Sequence, residues 1–188
     1  MPQDPIGGVI ENLLTLQRLG NAASAEAKAV IRSLFDDLAG QIAKLDPTAP
    51  QREAYRRQRL EQLLGEVETL VGESFGDIRK TLRTRLADIG AQQAGWTVGQ
   101  LARSIGSVEV DIKSGRLGAQ FMRSILDNDP FQGDTLKGWT DNQKAVTVRR
   151  VRRQLQLGMA QNETIDQMVR RVRGTSAGGG RFVGGVMQ

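Results

Sequence analysis

Seven arginines near the C-terminus are the residues whose type and spacing could do chemistry in this chain. They form two clusters, Arg149, Arg150, Arg152 and Arg153 in the first and Arg170, Arg171 and Arg173 in the second. A guanidinium group can neutralise a phosphate, which gives sequence-independent and salt-sensitive binding of nucleic acid. It can equally bind a carboxylate of a protein partner through two parallel hydrogen bonds. A merely solvated surface is the third interpretation, and the sequence leaves all three open.

The net charge of +5 is unevenly distributed along the 188 residues. Residues 1–143 carry 17 Lys and Arg against 19 Asp and Glu, whereas residues 144–188 carry nine against two. The basic character therefore belongs to the C-terminal quarter. Uncompensated like charges repel one another, which counts against a merely solvated surface.

Helices capped by threonine must position these arginines. Thr135 and Thr164 are predicted N-caps and Gly174 a helix stop, so we expect three short helices between residues 131 and 174. Helical spacing gives the last two helices an apolar stripe each, formed by Val148, Val151, Leu155 and Met159 and by Ile165, Met168, Val169 and Val172. The arginines fall outside both stripes and are predicted to face solvent. Trp139 is expected to pack beneath the small helices.

The rest of the chain also predicts an all-α fold. Residues 1–95 hold two long apolar stripes of helical spacing, separated by prolines at Pro47 and Pro50 and ending near Gly95. We expect an antiparallel helical hairpin with arms of about 60 Å, so that the molecule is elongated. The hairpin is either a stand-alone two-helix coiled coil or, as we favour, an arm that lies along another protein, which covers its remaining apolar surface.

Shorter segments follow the hairpin. Residues 96–130 predict a short helix capped by Thr97, an extended piece at 108–112 that runs over a surface or pairs with another copy, and a helix from Ser114 to Leu126. The segment 131–174 holds the basic helices. Residues 175–188 contain five glycines and are predicted to be a flexible tail.

Most enzyme classes are excluded by composition. The chain has no Cys and no His, which removes thiolate and imidazole metal ligands, Ser-His triads and cysteine nucleophiles. The run from Gly178 to Gly180 lacks the spacing of a phosphate-binding loop, and no segment resembles a signal peptide or a membrane span. We therefore expect a protein that is not an enzyme and has no cofactor, no metal and no catalytic residue.

The basic segment resembles the bacteriophage minor head, or head-morphogenesis, family of the Mu F-like type. That family has a TL..W motif, a helix ending LG.A.GET, a further helix and an RG turn. The matching residues are Thr135, Leu136, Trp139, Leu157, Gly158, Ala160, Glu163, Thr164, Ile165, Val169, Arg170, Arg171, Arg173 and Gly174. Asn162 stands where the family usually has glycine, and asparagine tolerates the left-handed backbone conformation better than most residues.

The resemblance implies a structural component of a tailed-phage virion. Its expected place is the capsid interior near the portal vertex, with assembly in the host cytoplasm and no membrane in the assembled head. The implied partners are the portal protein, the major capsid protein and packaged DNA, with several copies around the portal. Family members continue into a further helix and an α/β domain, so we expect this chain to be the N-terminal part of something longer.

Two other functions remain open on the same residues. One is an internal ejection protein that leaves the capsid with the genome. The other is a helical module that binds nucleic acid without sequence preference and has no structural role, for which binding should fall steeply with salt.

Overall fold

The computed structural model describes residues 5–44, 53–105, 114–130, 133–177 and 181–183. Within these ranges the fold is all-α, as predicted, with a single two-stranded hairpin added. The elements are α1 (Pro5–Ala43), α2 (Glu53–Ile105), α3 (Ser114–Asn128), α4 (Leu136–Ala160), α5 (Ile165–Arg173), β1 (Thr175–Ala177) and β2 (Arg181–Val183). The predicted turn around Pro47 and the predicted extended piece at 108–112 lie outside the described residues.

The chain divides into two compact units, each built from two distant stretches of sequence. Unit 1 comprises Met1–Lys28 and Ile78–Trp139, and unit 2 comprises Ala29–Asp77 and Thr140–Gln188. The predicted segments 1–95, 96–130, 131–174 and 175–188 follow the order of the chain instead. Each of the two long helices, α1 and α2, has one segment in unit 1 and one segment in unit 2.

In unit 1, α1 and α2 run antiparallel. The Asn12 amide nitrogen donates to the Gln93 side-chain oxygen over 2.9 Å, and Arg85 Nε donates to Glu26 over 3.0 Å. The later residue of α1, Glu26, contacts the earlier residue of α2, Arg85, so the two helices run in opposite directions. The buried side chains in the described part of this unit are few: Asn12, Ala23, Ile78, Ala87 and Leu136.

Helix α3 packs antiparallel to α2 in the same unit. Arg83 Nε donates to Asp127 over 2.7 Å, and Gly90 lies directly against the Met122 side chain. A Cβ at position 90 would come within 2.7 Å of Met122 Cγ, so the absence of a side chain permits this close approach.

Unit 2 has a much larger apolar core. The end of α1 lies beside the first part of α2, since an Arg59 guanidinium nitrogen donates to the Lys44 carbonyl over 3.4 Å. Helices α4 and α5 add their apolar stripes to these two. The buried apolar side chains are Leu34, Phe35, Leu38, Ile42, Leu63, Val67, Val71, Phe75, Val151, Leu155, Met168 and Val172.

Two predicted helix boundaries are wrong. The second long helix continues past Gly95 to Ile105, because the Thr97 hydroxyl donates to the Gln93 carbonyl of the preceding turn instead of capping a new helix. The sequence also predicts three short helices between 131 and 174, whereas the structure has two, α4 and α5. No proline interrupts α4, and its two glycines lie in its first turn and near its end.

Two parts of the predicted flexible tail, Thr175–Ala177 and Arg181–Val183, form strands. Thr175 pairs with Val183, and Ala177 pairs with Arg181, in an antiparallel hairpin. Threonine, phenylalanine and valine favour strands, which explains pairing on both sides of the Gly178–Gly180 run. Among the helices of the described ranges, none is long and apolar enough to cross a membrane.

Candidate anion-binding site on α4 and α5

The start of α4 is fixed by a side-chain cap. Thr135 Oγ1 accepts a hydrogen bond from the Gly138 amide over 3.1 Å, which confirms the predicted N-cap. Leu136 is buried directly after the cap. Trp139 does not pack beneath the helices as expected, because 42% of its surface is exposed.

Helix α5 is defined by caps at both ends. Thr164 Oγ1 accepts from the Gln167 amide over 3.3 Å, and the Gln167 side-chain oxygen accepts from the Thr164 amide over 2.8 Å. This reciprocal pair is a capping box. Gly174 ends the helix with φ +85°, and Asn162 adopts φ +52° in the preceding turn. The predicted cap, stop and left-handed asparagine are all confirmed.

The four arginines of α4 lie on its solvent side. Val151 and Leu155 are fully buried, while Val148 and Met159 are half-buried beside them. Their spacing turns Arg149, Arg150, Arg152 and Arg153 outward, and all four are exposed. The predicted stripe and the predicted exposure of this first cluster are confirmed.

Arg171 contradicts the prediction that the second cluster faces solvent. Its guanidinium group binds Glu163 through two nitrogens, with Nε donating over 2.9 Å. Two further guanidinium hydrogens are donated to the side-chain oxygens of Gln154, over 3.3 Å, and Gln161, over 2.9 Å. Arg171 is half-buried, and four of its five guanidinium hydrogens are donated to side chains of α4 and of the turn that follows it. These bonds tie α5 to the end of α4, so Arg171 serves mainly the fold.

Arg173 is also half-buried and belongs to the fold. Its guanidinium lies 2.5 Å from an Asp36 carboxylate oxygen on α1. On α4, Arg152 lies 3.9 Å from Glu68 of α2, and both of those side chains are largely exposed. Carboxylates of α1 and α2 therefore balance part of the positive charge that the C-terminal quarter carries in sequence.

Three exposed arginines make no such interaction within the described residues: Arg149 and Arg153 on α4 and Arg170 on α5. We call them the arginine trio. Among the described residues, none of the three takes part in a hydrogen bond or an ion pair, whereas Arg150 makes an interaction of its own within the chain. The trio is thus the part of the predicted site that can bind an anion supplied from outside.

The Arg149 and Arg153 side chains lie one helical turn apart, separated by about 6 Å along the axis of α4. Like charges at this spacing destabilise a helix, and a bound anion relieves the repulsion. Arg170 contributes a third positive charge from α5. Within the described part of the chain, no group of acidic side chains is placed to hold a metal ion.

The sequence patterns do not predict which carboxylates pair with the arginines. Glu163 and Arg171 lie eight residues apart across a turn, a spacing with no helical signature. Asp36 and Glu68 are far from the arginines in sequence and come near them through the packing of unit 2. Cap recognition could have hinted at Glu163, since it directly precedes the capped Thr164.

The Glu163–Arg171 pair predicts a pH-dependent contribution to stability. Its hydrogen bonds from Arg171 hold the pKa of the Glu163 carboxyl below its usual 4.5. A lowered folded-state pKa stabilises the fold above pH 4.5, and this contribution is lost as the pH falls through the folded-state value. Glu163→Gln should therefore lower the melting temperature at pH 7, and the difference from wild type should close in acid.

Glu61→Gln is the matched control for this measurement, because Glu61 is exposed and makes no ion pair among the described residues. Its melting temperature should follow that of wild type at every pH. A Glu163→Gln difference that is the same at pH 7 and pH 3 would show that the ion pair is not its source.

Gly158 predicts a packing effect at the same turn. A Cβ there would lie 2.7 Å from Cγ of the buried Met168 and 3.0 Å from a Glu163 carboxylate oxygen. Gly158→Ala gains roughly 1 kcal/mol of helix propensity. It also overpacks the turn, which costs about 1–3 kcal/mol. We expect a net loss in the free energy of unfolding, measured by urea denaturation.

Gly65→Ala on α2 separates the two effects, because a Cβ at that position meets no atom within 4 Å. This control should gain stability from helix propensity alone. A Gly158→Ala variant that gains as much as the control would refute the close contact with Met168.

Comparison with protein-family models, with curated proteins and with solved structures finds no match for this chain. The resemblance to the minor head family therefore depends on the motif residues themselves. Several of them have a definite structural role here: Thr135 and Thr164 cap helices, Glu163 binds Arg171, and Gly174 ends α5. The structure shows an all-α fold in which two adjoining helices, α4 and α5, expose the arginine trio.

Proposed function

We propose that this chain is a non-enzymatic structural component of a tailed-phage virion. In this role it is a minor head protein that associates with the portal vertex inside the capsid and contributes to head assembly and to genome packaging or delivery. The resemblance of residues 135–174 to the minor head family supports this role. The absence of Cys and His from the sequence supports the non-enzymatic part of the proposal.

The observation that carries the proposal is the exposure of the arginine trio. The fold uses Arg171 and Arg173 for its own ion pairs, and it leaves Arg149, Arg153 and Arg170 exposed with no ion pair among the described residues. Repulsion between these charges favours an anionic partner. In a filled capsid, the phosphates of packaged DNA and the carboxylates of the portal protein both supply such charges.

DNA is the better fit for the arginine trio. Exposed guanidinium groups on helices suit sequence-independent contact with phosphates, which needs charge more than shape. Portal binding, in this proposal, uses a different part of the surface, so substitution of the trio affects DNA and leaves the portal interaction in place.

The test is retention of the purified chain on portal protein and on double-stranded DNA, each titrated from low to physiological salt. The site variant changes the arginine trio to glutamine. The control variant changes three exposed basic residues elsewhere to glutamine, and so has the same net charge: Arg32, Lys80 and Arg123. If each arginine of the trio neutralises one phosphate, the slope of log affinity against log salt should fall in magnitude by about 2.7 in the site variant. The control should keep the wild-type slope.

Each outcome decides between the roles that the sequence leaves open. Retention on portal at physiological salt, with DNA binding that depends on the trio, supports the minor head role. DNA binding without portal binding would replace it with a nucleic-acid-binding helical module. For a protein that binds portal, absence from emptied heads after DNA release would identify an ejection protein instead.

A further inference from the structure

The first part of α1 carries an apolar face that is separate from the one it packs on α2. Val9, Ile10, Leu13 and Leu14 have 42%, 52%, 59% and 47% of their surface exposed. Their spacing of i, i+1, i+4 and i+5 places them along one side of the helix. The side that packs within unit 1 carries Asn12 and Ala23, and both of these are buried.

This exposed face lies in the unit with the smaller core. Of the eight large apolar side chains that are exposed in the described residues, seven belong to unit 1 and only Leu157 belongs to unit 2. A contiguous apolar surface of this kind on a soluble domain marks a site of association. The apolar stripe predicted for the hairpin core includes Val9, Ile10 and Leu13, so their exposure adds a surface that the periodicity does not predict.

The charges on this part of α1 match a second copy of the same helix. Between residues 7 and 25 the helix carries two charged residues, Glu11 and Arg18. Neither makes an ion pair in the described structure. They lie seven residues apart, on the same side of the helix and about 10.5 Å from each other. In an antiparallel pair with a two-fold axis, each Glu11 lies opposite the Arg18 of the other copy.

The same register also suits the apolar residues. When Glu11 lies opposite Arg18, Leu13 lies opposite Leu16, and Val9 lies opposite Gly20. Gly20 is exposed, with no atom within 4 Å of the position its Cβ would take, so the two backbones can approach closely there. A membrane surface fits less well, because interfacial helices carry several basic residues on their polar face and this segment has one.

We propose that the chain forms an antiparallel homodimer through the first part of α1, with Glu11 of each copy bound to Arg18 of the other. The association goes beyond the proposed virion role and requires neither portal protein nor DNA. Sedimentation equilibrium of the purified chain from about 1 µM to about 1 mM tests it. The average mass should rise from the 20.6 kDa monomer towards twice that value.

Leu13→Glu should weaken this association by at least about tenfold, because it places a charge in the middle of the apolar face. Leu157→Glu is the matched control, since it changes an exposed leucine of unit 2 in the same way. The control should dimerise like wild type. Far-ultraviolet circular dichroism establishes that each variant keeps its helical content before its mass is interpreted.

Exchange of the two charges tests the antiparallel register. Glu11→Arg alone, or Arg18→Glu alone, places like charges opposite each other and should weaken the dimer. The double variant Glu11→Arg/Arg18→Glu restores opposite charges in both positions and should recover wild-type association. A monomer at all concentrations, or a double variant no better than the single ones, would overturn the proposal. Dimerisation without portal binding would leave this inference standing and count against the virion role alone.

Discussion

Burial of apolar side chains in unit 2 is the constraint on which the other features depend. Among the described residues, the largest side chains with almost no exposed surface all belong to this unit: Leu34, Leu38, Ile42, Val67, Val71, Val151, Leu155 and Val172. Each contributes about 1.5–3 kcal/mol relative to an exposed side chain. Two antiparallel helices alone offer a thin core, and α4 and α5 thicken it by adding their own apolar stripes. The arginines are oriented as a consequence, because the faces that carry Val151 and Val172 must point inward.

The same packing divides the arginines into structural and available ones. Helices α1 and α2 bring Asp36 and Glu68 to the C-terminal helices, and the turn brings Glu163 to Arg171. The C-terminal quarter therefore contains more arginines than the described surface leaves unpaired for a partner. Several motif residues of the resemblance shape the helices and their turn, while Arg149 and Arg153 lie outside the motif. The resemblance thus supports the fold of this segment more directly than it supports any particular contact.

Local signals in the sequence predict the elements well and the long-range contacts poorly. The caps at Thr135 and Thr164, the stop at Gly174 and the stripe through Val151 and Leu155 follow from rules that involve neighbouring residues, and all are present. The continuation of α2 to Ile105 was not predictable in the same way, because Thr97 suits both a cap and a helix interior. The partners of Arg171 and Arg173, and the exposure of Leu13, depend on which helices pack together, and periodicity does not encode that information.

The central claim is that most of the buried apolar core lies in unit 2. Hydrogen exchange of backbone amides, measured residue by residue on the dilute protein, tests this claim most directly. Amides in well-packed elements exchange through global unfolding, whereas those in poorly packed elements exchange through local opening. Protection from exchange should be strong at residues 30–43 and 60–77 and markedly weaker at residues 8–28 and 79–103. Each of α1 and α2 should therefore contain one strongly protected and one weakly protected stretch. Equal protection along the whole of α1 and α2 would contradict the account.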